Sequence, residues 1–308
     1  MNNTKASQPS IPNYETATGE IRFNLTNDFM FHAVFEENKP ALCKLLSSLL
    51  HMPMSEIISV EVKNPIDYGT SITDKKVILD LKLLLNKYRI VNIEMQVLDE
   101  GDWPERSVVY LCRCYDNVLK GNEYDTILPA HQISIVDYDL PEKEPEFYST
   151  HHLVNDKTGA VYTGNFVLSV LNLRQIDMAT DEDKKWQIDR WARLFKASRW
   201  EELRMIAAQD TEMTDAAKTL YDKNQDEYAR NWALAREMFL FEERCRKARE
   251  KKALAELEEA RKENAELKKE TSKTKNEVSK AKDEASKAKK ENERLRALLA
   301  ANGIDPDA

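Results

Sequence analysis

The chain has 308 residues, 42% hydrophobic and 32% charged, and a formal net charge of −8. That length allows one domain of roughly 200 residues plus an extension, and the negative charge excludes attraction to DNA by a global basic field. A nucleic-acid partner has to meet a local basic patch, or metal ions that bridge to phosphate.

The four cysteines, Cys43, Cys112, Cys114 and Cys245, include no CxxC pair, which argues against a zinc site and fits reduced thiols in a reducing cytosol. No apolar run reaches the ~18 residues needed to cross a bilayer, and the polar start is not a signal peptide. The expectation is a cytoplasmic protein with no membrane partner.

In chain order, residues 1–20 are rich in Ser, Thr, Asn and Pro and read as a disordered tail. A helix is predicted from Thr26 or Asn27, both good caps, through DFMFHAVFE, with Phe29, Phe31, Val34 and Phe35 on an apolar side. A second fits PALCKLLSSLLH, with Pro40 in its first turn. Strand patterns follow at 57–62, 76–85 and 88–97, the last two forming a hairpin about Asn86-Lys87. A helix is predicted over 104–119 and further strands over 131–137, 146–153 and 166–173. From Asp181 onward the pattern is helical. Trp186, Trp191 and Trp200 recur there as core anchors between helices. The order predicts a mixed α/β domain with a helical C-terminal arm.

From Glu250 the chain becomes Ala, Glu, Lys, Leu and Asn, with no Gly or Pro from Lys251 to Asn302. With Leu257 at a, the a positions continue through Asn264, Thr271, Val278, Ala285, Asn292 and Leu299. The d positions are Ala260, Leu267, Thr274, Ala281, Ala288 and Leu295. An unbroken seven-residue repeat predicts a left-handed supercoil. Asn264 and Asn292 at a favour a parallel homodimer, because each amide is best satisfied by its counterpart in register. A solvated single helix held by i,i+4 Glu–Lys pairs is the competing reading.

The segment that can carry chemistry contains Asp80 and Glu94. Each acid lies inside an otherwise apolar strand pattern (VILDLKLLL and VNIEMQV), where an uncompensated carboxylate is costly. With a two-residue turn at Asn86-Lys87, Asp80 faces Ile93 and Glu94 faces Leu79, so the acids are diagonal neighbours. Gln96 shares the strand face of Glu94. Two converging carboxylates with space for water suit Mg²⁺ or Mn²⁺, and the main-chain carbonyl of Met95 is a further candidate ligand. Spacing alone also fits two acids facing solvent. His131 at a strand start reads as packing, and the adjacent His151 and His152 as surface residues on opposite strand faces.

The segments TNDFMFHAVFEENKPALCKLLSSLL, VEVKNP, DKKVILDLKLLL, VNIEMQV and RSVVYLCRCY, then GNEYDTILPAHQISIVDY, cover about residues 22–240. They resemble the PD-(D/E)XK nuclease family transposases, also called the recombination-promoting nuclease family. Arg106, Tyr110 and Tyr115 supply the last of the shared motifs. The resemblance implies a restriction-endonuclease-like α/β fold, a mixed central sheet flanked by helices, here followed by a long C-terminal coiled-coil helix. It implies that Asp80 and Glu94 bind the metal, that Gln96 takes the place usually held by a catalytic lysine, and that Arg106 projects toward DNA phosphate. It also makes Asp28 a candidate extra acid on the leading helix; the residue pattern reads Asp28 equally as an acid complementing the helix dipole.

The expected layout is a tail over 1–20, a nuclease-like domain over 21–240 (helical over 181–240), a coiled coil over 241–300 and a tail over 301–308. The function this implies is a metal-dependent DNA endonuclease. The alternative is a catalytically inactive nuclease fold that binds DNA or assembles proteins.

Overall fold

The computed structural model describes residues 13–63, 66–67, 77–78, 81–117, 123–140 and 145–302. Asp80 and residues 1–12 and 303–308 lie outside them. The chain divides into two compact units, one up to Phe241 and one from Glu242.

The first helix, α1 (Asp28–Glu37), starts where the Asn27 side chain accepts from the Met30 amide at 3.2 Å. Its apolar positions bury Met30, Phe31, Val34 and Phe35. Asn38 then serves two helices. Its N–H closes α1 onto the Val34 carbonyl, and its side chain caps α2 (Lys39–Leu49) by accepting from Ala41 N at 3.1 Å.

The strands are β1 (Val60–Val62), β2 (Ile66–Asp67), β3 (Val77–Ile78), β4 (Leu81–Leu85) and β5 (Arg89–Gln96). The helix α3 (Trp103–Tyr115) leads from β5 to β6 (Ala130–Val136), followed by β7 (Tyr148–His152) and β8 (Phe166–Asn172). One six-stranded sheet runs in the order β1-β4-β5-β6-β8-β7, and β2 pairs with β3 separately. The centre, β5-β6-β8, is parallel and the flanks are antiparallel. This is the expected mixed sheet flanked by helices.

The hairpin register differs from expectation. Leu81 pairs with Ile93 and Leu85 with Arg89, so three residues rather than two make the turn. Asn86 and Lys87 both take positive φ, 51° and 62°. Asn86 tolerates that region because its side chain finds backbone partners. Its oxygen accepts from Ile58 N and Ser59 N at 2.7 and 3.0 Å, and its nitrogen donates to the Glu56 carbonyl. The turn is thus fixed by the segment ahead of β1.

The helical part comprises α4 (Asp181–Lys185), α5 (Ile188–Lys196), α6 (Trp200–Ala207), α7 (Thr211–Gln225) and α8 (Glu227–Ala301). Reciprocal bonds between Thr180 and Asp183 form a capping box at α4. The continuous helical pattern expected after residue 213 is broken once, at Asp226, whose backbone is extended and whose carboxylate caps α8 at Ala229 N, 2.7 Å. Trp191 is fully buried against Phe35 and Phe195, and Trp200 is buried against Tyr221, so both act as core anchors.

The tail expected over 1–20 needs correction from residue 13. Tyr14 and Ala17 are buried, and their carbonyls accept from Arg204. Glu20 bridges Arg199, and Asn224 grips both the N–H and the carbonyl of Phe23. The segment is polar in composition, yet its few apolar side chains have a groove to fill, which composition alone does not reveal.

Among the described residues no helix is long and apolar enough to cross a membrane. The four cysteines are free.

Candidate active site

Alternation along β5 separates two faces. Val91, Ile93 and Met95 join the main core with α1 and α2. Asn92, Glu94 and Gln96 point the other way, toward the side covered by α3, and all three are buried. On the neighbouring parallel strand, Gln132 stands opposite Asn92 and Ser134 opposite Glu94. The result is a polar layer between sheet and helix with almost no exposure.

Glu94 is only 1% exposed. A carboxylate so placed requires compensation, and two side chains provide it. The Gln96 amide nitrogen donates to Glu94 Oε1. From α3, Arg106 Nη2 donates to the same oxygen at 3.3 Å. Arg106 is itself held on three sides: Nη1 meets Glu100 Oε2 at 2.5 Å, Nε donates to the Tyr110 hydroxyl at 3.1 Å, and the guanidinium lies over the Tyr110 ring. Burial works against its charge, but Glu94, then Tyr110 and Glu100, outweigh it, and its pKa sits above the already high ordinary value. Burial, then Asp99, raises the nearby Tyr138 hydroxyl well above its usual range, with Arg106 opposing.

The rest of the layer is an amide chain. Asn92 Nδ2 donates to Gln132 Oε1 at 2.7 Å, and Gln132 Nε2 donates to Ser134 Oγ at 3.2 Å. Sequence reading did not single out Glu100, Asn92, Gln132 or Ser134. The signal was present for Gln132 and Ser134, which interrupt the apolar strand pattern AHQISIV as Asp80 and Glu94 do theirs.

Of the residues expected to form the site, the structure brings together Glu94, Gln96 and Arg106. Asp80 lies outside the described residues; its chain neighbour Leu81 pairs with Ile93, the chain neighbour of Glu94. Asp28 is held elsewhere. It opens α1, in the layer on the opposite sheet face, accepts from Phe29 N at 2.8 Å and pairs with Arg236. Those contacts match the reading of Asp28 as a first-turn acid.

A divalent cation can be tested against the donors present. Among the described residues no group of three His, Cys, Asp or Glu side chains is arranged to hold a metal. What they supply is the Glu94 carboxylate with the Gln96 amide oxygen beside it, both hard oxygen donors of the kind Mg²⁺ and Mn²⁺ take. The chemistry fits such an ion, with a second carboxylate still to be contributed.

A mixed six-stranded sheet flanked by helices, with a buried acid at its centre, is consistent with the PD-(D/E)XK nuclease fold. The model of the PD-(D/E)XK nuclease family transposase matches residues 25–250, and the chain belongs to that family. Neither the curated proteins nor the solved structures contain a match to it. Family membership points to a nuclease or transposase-related role.

Proposed function

We propose that the chain is a metal-dependent DNA endonuclease that hydrolyses backbone phosphodiesters, working as a homodimer joined by a parallel coiled coil in the cytoplasm. The observation that carries this reading is the placement of the buried Glu94 and Gln96 beside the partly buried Arg106. In this reading Asp80, Glu94 and the Met95 carbonyl hold Mg²⁺ or Mn²⁺. Such an ion lowers the pKa of a bound water and stabilises charge on the reacting phosphate.

The chain's own residues do the remaining work. Gln96 has its amide nitrogen committed to Glu94, so its oxygen is the group left to accept a hydrogen bond from the attacking water and orient it. It cannot balance charge as a lysine would; Arg106 supplies the positive charge of the site. Arg106 contributes a planar set of donors that suits phosphate. Glu100 and Tyr110 hold that guanidinium in place. Asp28 has no part in this scheme.

Dimerisation through the stalk would place two such sites in one assembly, which suits paired nicks or a double-strand break. Its support is the uninterrupted heptad repeat and the exposed apolar side chains at Leu257, Leu267, Val278, Leu295 and Leu299.

The test is nicking of supercoiled plasmid with Mg²⁺ or Mn²⁺, beside the Asp80→Ala and Glu94→Ala variants. Cleavage is expected from the natural chain alone; equal cleavage by all three would remove these assignments. The second reading, an inactive nuclease fold used as a DNA-binding or assembly module, draws on the engagement of Glu94 by Arg106 and on the neutral Gln96. Calorimetric titration with millimolar Mg²⁺ separates the two, since the module has no need to bind it.

A further inference from the structure

The sheet face opposite Glu94 carries a second feature. A cleft of about 310 Å³ opens beside the C-terminal end of α2. His51 from that end, Arg89 at the start of β5, His131 on β6, and Thr150 and His152 on β7 line it, with Tyr148 alongside. These residues come from four separate stretches of the chain. Arg89 and Glu94 differ by an odd number of positions on one strand, so they project to opposite faces. The cleft is therefore distinct from the candidate active site.

Its chemistry is one-sided. Among the described residues the lining holds a guanidinium, three imidazoles and two hydroxyls, and no carboxylate. His131 at the floor places Nε2 2.8 Å from Ser169 Oγ, which in turn lies 2.9 Å from Thr150 Oγ1. Burial is the main influence on His131. Burial first, then the charges of Arg89 and His152, push its pKa down to about 3.

Two features that would oppose an anion have hydrogen-bond partners within the protein. The final carbonyls of α2 are occupied: Leu46 and Ser48 accept backbone N–H groups, and Leu49 accepts the Tyr148 hydroxyl. The acids that act on His51 are Glu182 and Asp183. Glu182 is bonded to Trp186 and Lys185, and Asp183 to Thr180. The His51 ring lies parallel to the Trp186 indole, 5.4 Å between centroids, which fixes it at the rim.

We propose that this cleft is a binding site for a phosphate group carried on a nucleotide-sized ligand, with Arg89 and His152 as its principal contacts. Arg89 provides paired N–H donors matched to phosphate oxygens, and the exposed His152 imidazole provides a further donor. A volume of about 310 Å³ exceeds what a bare phosphate fills and leaves room for an attached sugar or base. The phosphate can come from a free nucleotide or from a DNA end.

Isothermal titration calorimetry on the full-length chain tests this with inorganic phosphate, thymidine 5′-monophosphate, and a short single-stranded DNA with and without a 5′-phosphate. Binding of phosphate and nucleotide is expected, weakened about tenfold or more in Arg89→Gln through loss of a charge-assisted contact. The same direction is expected in His152→Gln, which alters an exposed residue and so serves if Arg89→Gln does not fold. Glu94→Gln is expected to leave this binding unchanged, so the result is independent of whether the chain cuts DNA. Competition by the phosphorylated oligonucleotide alone identifies a DNA end as the source; binding of the nucleotide with neither oligonucleotide competing identifies a free nucleotide. No binding of any phosphate compound at millimolar concentration, or equal affinity in the folded variants, overturns the proposal.

Discussion

Arg106 Nη2 lies 3.3 Å from Glu94 Oε1, and through this contact α3 supplies the counter-charge for an acid at the centre of the sheet. Glu94 is removed from water, at 1% side-chain exposure, and Arg106 is partly buried, at 24%. In that setting the partner that stays behind determines the cost of a substitution.

Arg106→Ala leaves the Glu94 carboxylate buried without its cation. The expected loss is about 3 kcal/mol of stability, read as a lower urea midpoint at unchanged slope. Glu94→Gln keeps an oxygen facing Arg106 and is expected to cost less than Arg106→Ala. Under the proposed function it should nonetheless reduce Mg²⁺-dependent nicking by about 100-fold or more, because that reading makes Glu94 a metal ligand. A Glu94→Gln chain that unfolds as easily as Arg106→Ala would show that the pair is not the stabilising unit.

His131 gives a pH dependence with a definite sign. Folded, it titrates at about 3 against an ordinary 6.5. Between those values the unfolded chain takes up a proton that the folded chain refuses, so stability falls as pH drops from 6.5 toward 3. Below about 3 this contribution levels off. The slope from one such group is at most about 1.4 kcal/mol per pH unit. Urea unfolding at a series of pH values should show the decline, and His131→Gln should flatten it.

Asn224 acts as a piece of backbone. Its oxygen accepts from Phe23 N at 3.2 Å and its nitrogen donates to the Phe23 carbonyl at 2.9 Å, in a site 6% exposed. Asn224→Ala strands both main-chain groups and should cost about 2 kcal/mol. Thermal unfolding is the measurement, and Asn224→Asp, which can replace only the acceptor, should fall between the two.

The proposed coiled coil predicts association independent of Asp80 and Glu94. Sedimentation should give a dimer for the full chain and a monomer once residues 251–302 are removed. Leu257→Cys should cross-link to its counterpart if the strands are parallel and in register, because equal a positions then meet. Failure to cross-link with dimerisation intact would favour an antiparallel pairing.

Sequence periodicity by itself determined most of the elements, since an alternating strand or an i,i+4 helix is written in near neighbours. It placed Glu94 and Gln96 on one strand face and set the heptad pattern of the C-terminal helix, while the resemblance of its motifs pointed to the family that the chain belongs to. Tertiary structure alone decided the rest. The hairpin shifted by one residue because Asn86 bonds to residues 56–59, a contact invisible from the turn itself. Asp28 went to Arg236 on α8, and Arg106 acquired Glu100 as a second partner. The histidine cleft draws on α2, β5, β6 and β7 together. Such choices depend on which distant surfaces meet when the core closes, and on which buried charge must be answered by the nearest available partner; no local repeat encodes either.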